Sequence, residues 1–402
     1  MEGWPAVLRA LAALTINVQA ASALAQASLD GLLEPLRQRH GLPALAAAVV
    51  SKGEVVAIGA VGRRRIDAAI PVTVHDRFHL GSCTKAMTAL LAAIAVERGL
   101  LRWDSTLAEL FPELRATMGP AIAEVTVRQL LSHSSGIGDD ALPEAMRQTV
   151  ENGNANLDGL RLEMVKTFVQ QPLQSPPGKR FRYGNANYIL VGAALERLHN
   201  RSWEELIQEQ IFQPLALSGA GLGPQSSAGL TDAPLGHLAV QGRLQPMLAG
   251  PNGDNPLVLG PAGTAHMGLL GAARWAGWTA GQGRRDPALV SPETLRLLHT
   301  PVIATDPADP AEGSYALGWI VLKPAWAPGP LLMHAGSNNR NLAHLWVDPR
   351  RDLALVLVTN VASPEATRAL ETLAPLLYSN PRPELPCAAG DRCRLDTTEK
   401  QH

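Results

Sequence analysis

The feature that most constrains this chain is where its β-leaning runs fall. Two apolar runs, Ala44–Val50 and Val55–Val61, lie near the start, separated by Ser-Lys-Gly-Glu. Four more lie near the end: Tyr315–Leu322, Leu331–His334, Asn341–Val347 and Leu353–Thr359. The turn Asp348-Pro349-Arg350-Arg351-Asp352 joins the last two. Links this short make hairpins, and hairpins make antiparallel sheet, because a parallel pair needs a long crossover. Between the two groups, over about 110–300, the pattern is mostly helical, as in Val127–Leu131, Leu157–Gln170, Asn187–Leu198 and Ala272–Thr279. Pro- and Gly-rich stretches, Gln174–Lys179 and Gly219–Pro261, divide those helices. The economical architecture is α+β: one antiparallel sheet from residues 44–62 and 315–359, flanked by helices, with an inserted and mostly helical region. No fixed-period repeat competes with it.

Helical spacing of Leu29, Leu32, Leu33 and Leu36 predicts a first helix over Ser28–His40, stopped by Gly41-Leu42-Pro43. A closing helix is expected over Pro364–Leu377, which bounds one domain at 28–378 and leaves a tail from 380 to 402. A long helical pattern also runs from Ser82 to about Arg98, with Gly99 as its stop. The start of that helix carries the chemistry.

Residues three apart on a helix share a face, so the Lys85 amine can reach the Ser82 hydroxyl within Gly81-Ser82-Cys83-Thr84-Lys85. A serine hydroxyl attacks poorly until a neighbouring base accepts its proton. Lysine serves as that base if desolvation or nearby cations lower its pKa from the free value of about 10.4. Of six lysines, Lys85 alone has a serine three residues before it. A serine and a lysine at this spacing also describe an N-cap followed by a surface lysine. Cys83, beside the serine, reads as a small buried hydrophobe.

The segment Phe78-His79-Leu80-Gly81-Ser82-Cys83-Thr84-Lys85 resembles the nucleophile motif of serine β-lactamases, penicillin-binding carboxypeptidases and related esterases. Gly41-Leu42-Pro43 with its hairpin, Thr126–Gly136 and Tyr315-Ala316-Leu317-Gly318-Trp319 extend the resemblance over about residues 30–378. It implies a β-lactamase/transpeptidase-like fold and acyl transfer through Ser82, with Lys85 as activator. It also implies a Tyr-x-Asn motif between the nucleophile and the last strands. Tyr183-Gly184-Asn185 satisfies that order, whereas Tyr378-Ser379-Asn380 follows the final helix and reads as structural. By this resemblance Tyr183 relays protons and Asn185 orients Lys85 and a substrate carbonyl. A Lys/His-x-Gly motif is expected on the sheet edge. Of three His-x-Gly triplets, His334-Ala335-Gly336 ends an apolar strand and is chosen over His79–Gly81 and His266–Gly268. Gly336 would let substrate approach the backbone, and the N–H groups of Ser82 and Ser337 would bind the oxyanion. A half-exposed His334 with the ordinary pKa of about 6.5 would favour neutral esters, less so towards pH 6. His133 is expected to support the site from beneath.

Other chemistries lack their residues. There is no Gly-x-Ser-x-Gly elbow, no His-Glu-x-x-His, and no Gly-rich phosphate loop, so no metal or cofactor is expected. A net charge of −1 without basic blocks, and 4% aromatic residues, argue against nucleic acid as a partner. The expected partner is a small-molecule or peptide substrate. The ends bear on location. Ala10–Leu29 has no charge, and Ala23-Leu24-Ala25 fits a cleavage site, so residues 1–25 read as a signal peptide and the protein as periplasmic or secreted. Glu2, Asn17 and Gln19 fit that pattern poorly and leave open an amphipathic first helix and a cytoplasmic protein. The polar residues also argue against a stable membrane span. Cys387 and Cys393 are spaced to close a small disulfide loop after export, or are unrelated thiols. The function expected is hydrolysis of an ester, β-lactam or D-amino-acid peptide carbonyl, with esters favoured. The alternative is a non-catalytic scaffold of the same fold used for ligand sensing or assembly.

Overall fold

The computed structural model describes residues 26–138, 157–250 and 253–382. The proposed signal peptide, Cys387, Cys393 and nearly all of the tail lie outside these residues. The N-terminal strands are β1 (Ala27–Ser28), β2 (Ala44–Ser51) and β3 (Glu54–Gly62). The middle holds β4 (Arg77–His79), β5 (Gly221–Leu222), β6 (Gly236–Val240), β7 (Arg243–Met247) and β8 (Ala265–Gly268). The C-terminal strands are β9 (Ile303–Ala304), β10 (Ser314–Tyr315), β11 (Ile320–Leu322), β12 (Leu331–Ser337), β13 (Leu342–Asp348) and β14 (Leu353–Thr359). Nine of them form one sheet in the order β1-β3-β2-β14-β13-β12-β11-β10-β9. The N-terminal hairpin joins the C-terminal strands through antiparallel β2 and β14, with Val356 opposite Ala48. The short β1 pairs parallel to β3.

Both faces of this sheet are covered, which is why its central strands read as unbroken apolar runs. Leu45, Ala47 and Val49 point to one side with Leu353, Leu355 and Leu357, packed by helices Asp30–Arg39 and Pro364–Ser379. Ala46, Ala48 and Val50 point to the other side with Ala354, Val356 and Val358. There they meet the helix Leu269–Gly281 and the larger core beyond, which holds the helix Thr84–Glu97. The nucleophile helix is therefore enclosed in that core, packed among helices such as Asn185–His199 and Gly260–Gly263. Twelve of its fourteen residues are buried.

Three expectations need correction. The run Tyr315–Leu322 is not one strand but β10 and β11, joined by a turn with Gly318 at φ +85°. A Cβ on Gly318 would sit 2.8 Å from Ala86 Cα, so glycine lets this turn touch the nucleophile helix. The middle region is also less purely helical than its pattern suggests. β4, β8 and β5 make a small sheet, and β6 with β7 a hairpin. These strands are two to five residues long, and β7 contains Pro246, so no alternation was available to read. Finally, Ser82 lies in a 3₁₀ turn, Gly81–Cys83, one turn ahead of the α-helix that starts at Thr84.

Candidate active site

Gly81 stands at φ +50°, a left-handed conformation that favours glycine, and places Ser82 at the turn's crest. Its strained backbone is held at both ends. The Gly81 N–H donates to His79 Nδ1 at 3.0 Å, and its carbonyl accepts from Thr84 Oγ1 at 2.7 Å. Thr84 Oγ1 in turn accepts the Ala265 N–H, tying the turn to β8.

Lys85 is fully buried, and its Nζ lies 3.1 Å from Ser82 Oγ. The same nitrogen lies 2.8 Å from Asn185 Oδ1 and 2.7 Å from the Ala262 carbonyl. Both oxygens can only accept, so each takes an N–H. In a neutral amine those two bonds use both hydrogens and turn the lone pair towards Ser82. In an ammonium the third N–H points there instead. The position therefore fits both the taking and the returning of a proton.

Asn185 opens the helix Asn185–His199, and Tyr183 lies two residues before it, 42% exposed. The Lys85 Nζ sits 4.8 Å from the Tyr183 ring centre. So the structure brings Ser82, Lys85, Tyr183 and Asn185 together. Tyr378 lies elsewhere, buried beside Trp326, with its hydroxyl donating to Asp348 Oδ2 at 2.7 Å. His133 lies under the site, as expected of a support. It is fully buried, its ring centre is 4.4 Å from that of Tyr183, and its Nδ1 accepts the Gly184 N–H at 3.3 Å. Burial, with the charge on Lys85 adding to it, holds the His133 imidazole neutral, well below its ordinary pKa.

The His334 expectation changes. Its ring is not half-exposed; the residue is 2% exposed, and both ring nitrogens are engaged inside the protein. Nδ1 is 2.7 Å from the Ala335 carbonyl, an acceptor, so Nδ1 carries the proton. Nε2 therefore accepts from the Tyr315 hydroxyl at 3.0 Å. Burial, then the nearby Lys85 charge, pushes its pKa down to about 3. His334 supports the strand, with no nitrogen left to offer a substrate. Gly336 and Ser337, by contrast, lie against the nucleophile turn. A Cβ on Gly336 would stand 2.9 Å from Ser82 N and closer still to the Leu80 carbonyl oxygen. Ser337 is exposed at the strand's end.

The comparisons with known proteins decide the family. The family model described as Beta-lactamase matches residues 29–378. The chain belongs to the beta-lactamase family. Penicillin-binding protein 4 of Amycolatopsis lactamdurans is 25% identical over 338 residues, covering 81% of this chain and 83% of that protein. The octameric penicillin-binding protein homologue from Pyrococcus abyssi superposes with a TM-score of 0.71 at 25% identity, over 89% of this chain and 78% of that one. The D-amino acid amidase from Ochrobactrum anthropi SV3, complexed with L-phenylalanine amide, reaches 0.70 at 19% identity, over 88% and 98%. At that identity the likeness shows the fold alone.

Within this beta-lactamase family fold, sequence reading missed several residues that shape the site. Ala262 holds Lys85 through a backbone carbonyl, in the short helix Gly260–Gly263 that also takes the Thr88 hydroxyl on Pro261 O. A backbone acceptor leaves no side-chain signature, and Ala262 directly follows the Pro- and Gly-rich stretch Gly219–Pro261. His79 was passed over because its His-x-Gly triplet does not end an apolar strand before the terminal hairpin, yet its ring holds Gly81. Asp254 and Asn338 sit in loops without a motif, and both are buried. Cys83 is a closed thiol: its Sγ–H donates to the His334 carbonyl at 3.3 Å, and burial pushes its pKa up to about 12. Among the described residues, no cluster of His, Cys, Asp or Glu could hold a metal ion, and no helix is long and apolar enough to cross a membrane.

Proposed function

We propose that the protein is a serine hydrolase working through an acyl-enzyme on Ser82, and that neutral esters are its preferred substrates over β-lactams and D-amino-acid peptides. One observation carries the reading: a buried amine shared between Ser82 Oγ and two obligate acceptors. As the Ser82 Oγ–carbon bond forms, the serine proton passes to Lys85 Nζ, and the carbonyl electron pair moves onto oxygen. The N–H groups of Ser82 and Ser337 receive that charge. Re-forming the carbonyl breaks the bond to the leaving alkoxide, which takes the proton from Lys85 through the Tyr183 hydroxyl. Water then attacks the acyl-enzyme, giving its proton back along the same path, and Ser82 leaves protonated.

The ester preference rests on His334. The resemblance to β-lactamases implies a lysine cation there for many members, suited to a substrate carboxylate. Here the residue is neutral and turned into the protein. One exposed cation contributes up to about 1 kcal/mol, or roughly fivefold in rate for an anionic substrate. The test is kcat/KM for a neutral p-nitrophenyl ester, a chromogenic cephalosporin and a D-alanyl-D-alanine peptide. The ester is expected to lead; a faster cephalosporin or peptide reverses the preference.

A further inference from the structure

A chain of buried side chains runs from the residue before Ser82 to the residue after Ser337. The Gly81 N–H donates to His79 Nδ1, so that nitrogen is unprotonated and the neutral ring carries its hydrogen on Nε2. Nε2–H donates to Asp254 Oδ2 at 3.0 Å. The other carboxylate oxygen, Oδ1, accepts from Asn338 Nδ2 at 2.6 Å. The Asn338 orientation follows from its neighbours, because its Oδ1 accepts the backbone N–H groups of Arg340 at 3.2 Å and Asn341 at 2.9 Å. The Asn341 side-chain amide donates to the same oxygen at 3.0 Å. His79, Asp254 and Asn338 are all buried. None of them touches the reacting atoms, so catalysis by direct contact does not explain them.

Their placement does. The two amides assigned to the oxyanion site belong to Ser82, on the nucleophile turn, and to Ser337, at the end of β12. These segments meet backbone to backbone: a Cβ on Gly81 would lie 2.7 Å from the Gly336 carbonyl carbon. Close contact limits how near they can come, but nothing in such a contact stops them drifting apart. The Cys83 thiol bond to the His334 carbonyl ties the two segments further back, and the side-chain chain supplies that restraint beside the amides themselves. We propose that His79, Asp254 and Asn338 are positioning residues that hold the Ser82 and Ser337 amides at a fixed separation. Asp254 is the centre of the device, because its two oxygens bond the two sides at once. The inference rests on the oxyanion assignment made under the proposed function.

The hydrogen-bond polarity makes a sharp test available. Asp254→Asn keeps the shape but sets an N–H2 against the Asn338 N–H2. Turning Asn338 over would cost its bonds to residues 340 and 341. In the double variant Asp254→Asn/Asn338→Asp the donor-to-acceptor order along the chain is restored. The amide introduced at position 254 would take the His79 hydrogen on its oxygen and donate from its nitrogen to the carboxylate introduced at position 338. The second oxygen of that carboxylate takes the other three hydrogens. Each protein is titrated with a fluorophosphonate to count active sites, then assayed for kcat, KM and the Kd of phenylboronic acid, which forms a tetrahedral adduct.

Loss of a whole oxyanion donor costs about 100- to 1000-fold in kcat, so a displaced donor is expected to cost roughly 10- to 100-fold. Asp254→Asn should show that loss per titrated site, with KM nearly unchanged and boronate affinity weakened by a similar factor. The double variant should recover most of both. Wild-type kcat in Asp254→Asn overturns the inference. So does a fall in melting temperature with unchanged kcat and boronate affinity per site, or a folded double variant no better than the single one. If Asp254→Asn does not fold, the double variant alone decides, by near-native or lost boronate affinity. A wild type that takes up no phosphonate at Ser82 instead removes the underlying reading, whereas a labelled wild type with an indifferent Asp254→Asn removes this inference alone.

Discussion

Gly336→Ala tests the geometry at its tightest point. The added methyl would stand 2.9 Å from both Ser82 N and the Leu80 carbonyl carbon, and nearer to the Leu80 oxygen. All three are backbone, so no side chain can swing aside. Ordinary carbon contacts begin near 3.5 Å, and the Leu80 oxygen would stand only 1.9 Å from the methyl, so β12 and the nucleophile turn must separate by about 1 to 1.5 Å. A shift of that size at a reacting centre costs about 100-fold in rate, and it falls on the two amides that receive the oxyanion. Overpacking of this kind destabilises by about 1–3 kcal/mol, which a domain this large can survive. The expected variant is folded, with KM within a few-fold of wild type and kcat down about 100-fold. Measuring p-nitrophenyl ester hydrolysis per phosphonate-titrated site, alongside a thermal melt, separates the two effects. A lowered melting temperature with kcat within threefold would show that β12 does not build the oxyanion site.

Three further outcomes follow from the same geometry. Tyr183→Phe is expected to lose about 100-fold or more in kcat/KM, the range for a proton-relay group. Tyr378→Phe should leave esterase rates intact while lowering stability by about 1–3 kcal/mol, since it removes a buried hydrogen bond to Asp348; the reverse ranking refutes the motif assignment. Because His334 titrates at about 3, the ratio of ester to cephalosporin kcat/KM should be flat from pH 6 to 8, and a ratio that changes through pH 6.5 would show an exposed imidazole. Burial also pushes His266, His299 and His344 down to about 4. Such groups stabilise the fold above their unfolded pKa of about 6.5, and that stability is lost as pH falls through the folded value. Thermal melts should therefore weaken from pH 7 to pH 4, by up to about 1.4 kcal/mol per pH unit for each histidine; melts that strengthen on acidification contradict it.

The sheet was legible because it is buried on both faces. Runs such as Ala44–Val50 and Leu353–Thr359 have no polar interruption, and their ends matched the strands closely. Ser82, Lys85, Tyr183 and Asn185 were legible because their chemistry lies in side chains at recognisable spacings. His334 was legible as a position but not as an environment. Whether an imidazole faces substrate or Tyr315 depends on strand register and on what packs behind it, and neither is written in a tripeptide. The Ala262 carbonyl and the Asp254 bridge were illegible for a related reason: one acts from a one-turn helix and the other from a loop, both brought to the site from more than 170 residues along the chain.

The central claim is that Ser82 becomes covalently modified through its own oxygen. Intact-mass and peptide mass spectrometry after treatment with a fluorophosphonate tests it most directly. One adduct per chain, located on the peptide containing Ser82 and absent from folded Ser82→Ala, is the predicted result. Undiminished labelling of Ser82→Ala, or an adduct mapped to another residue, would contradict the account.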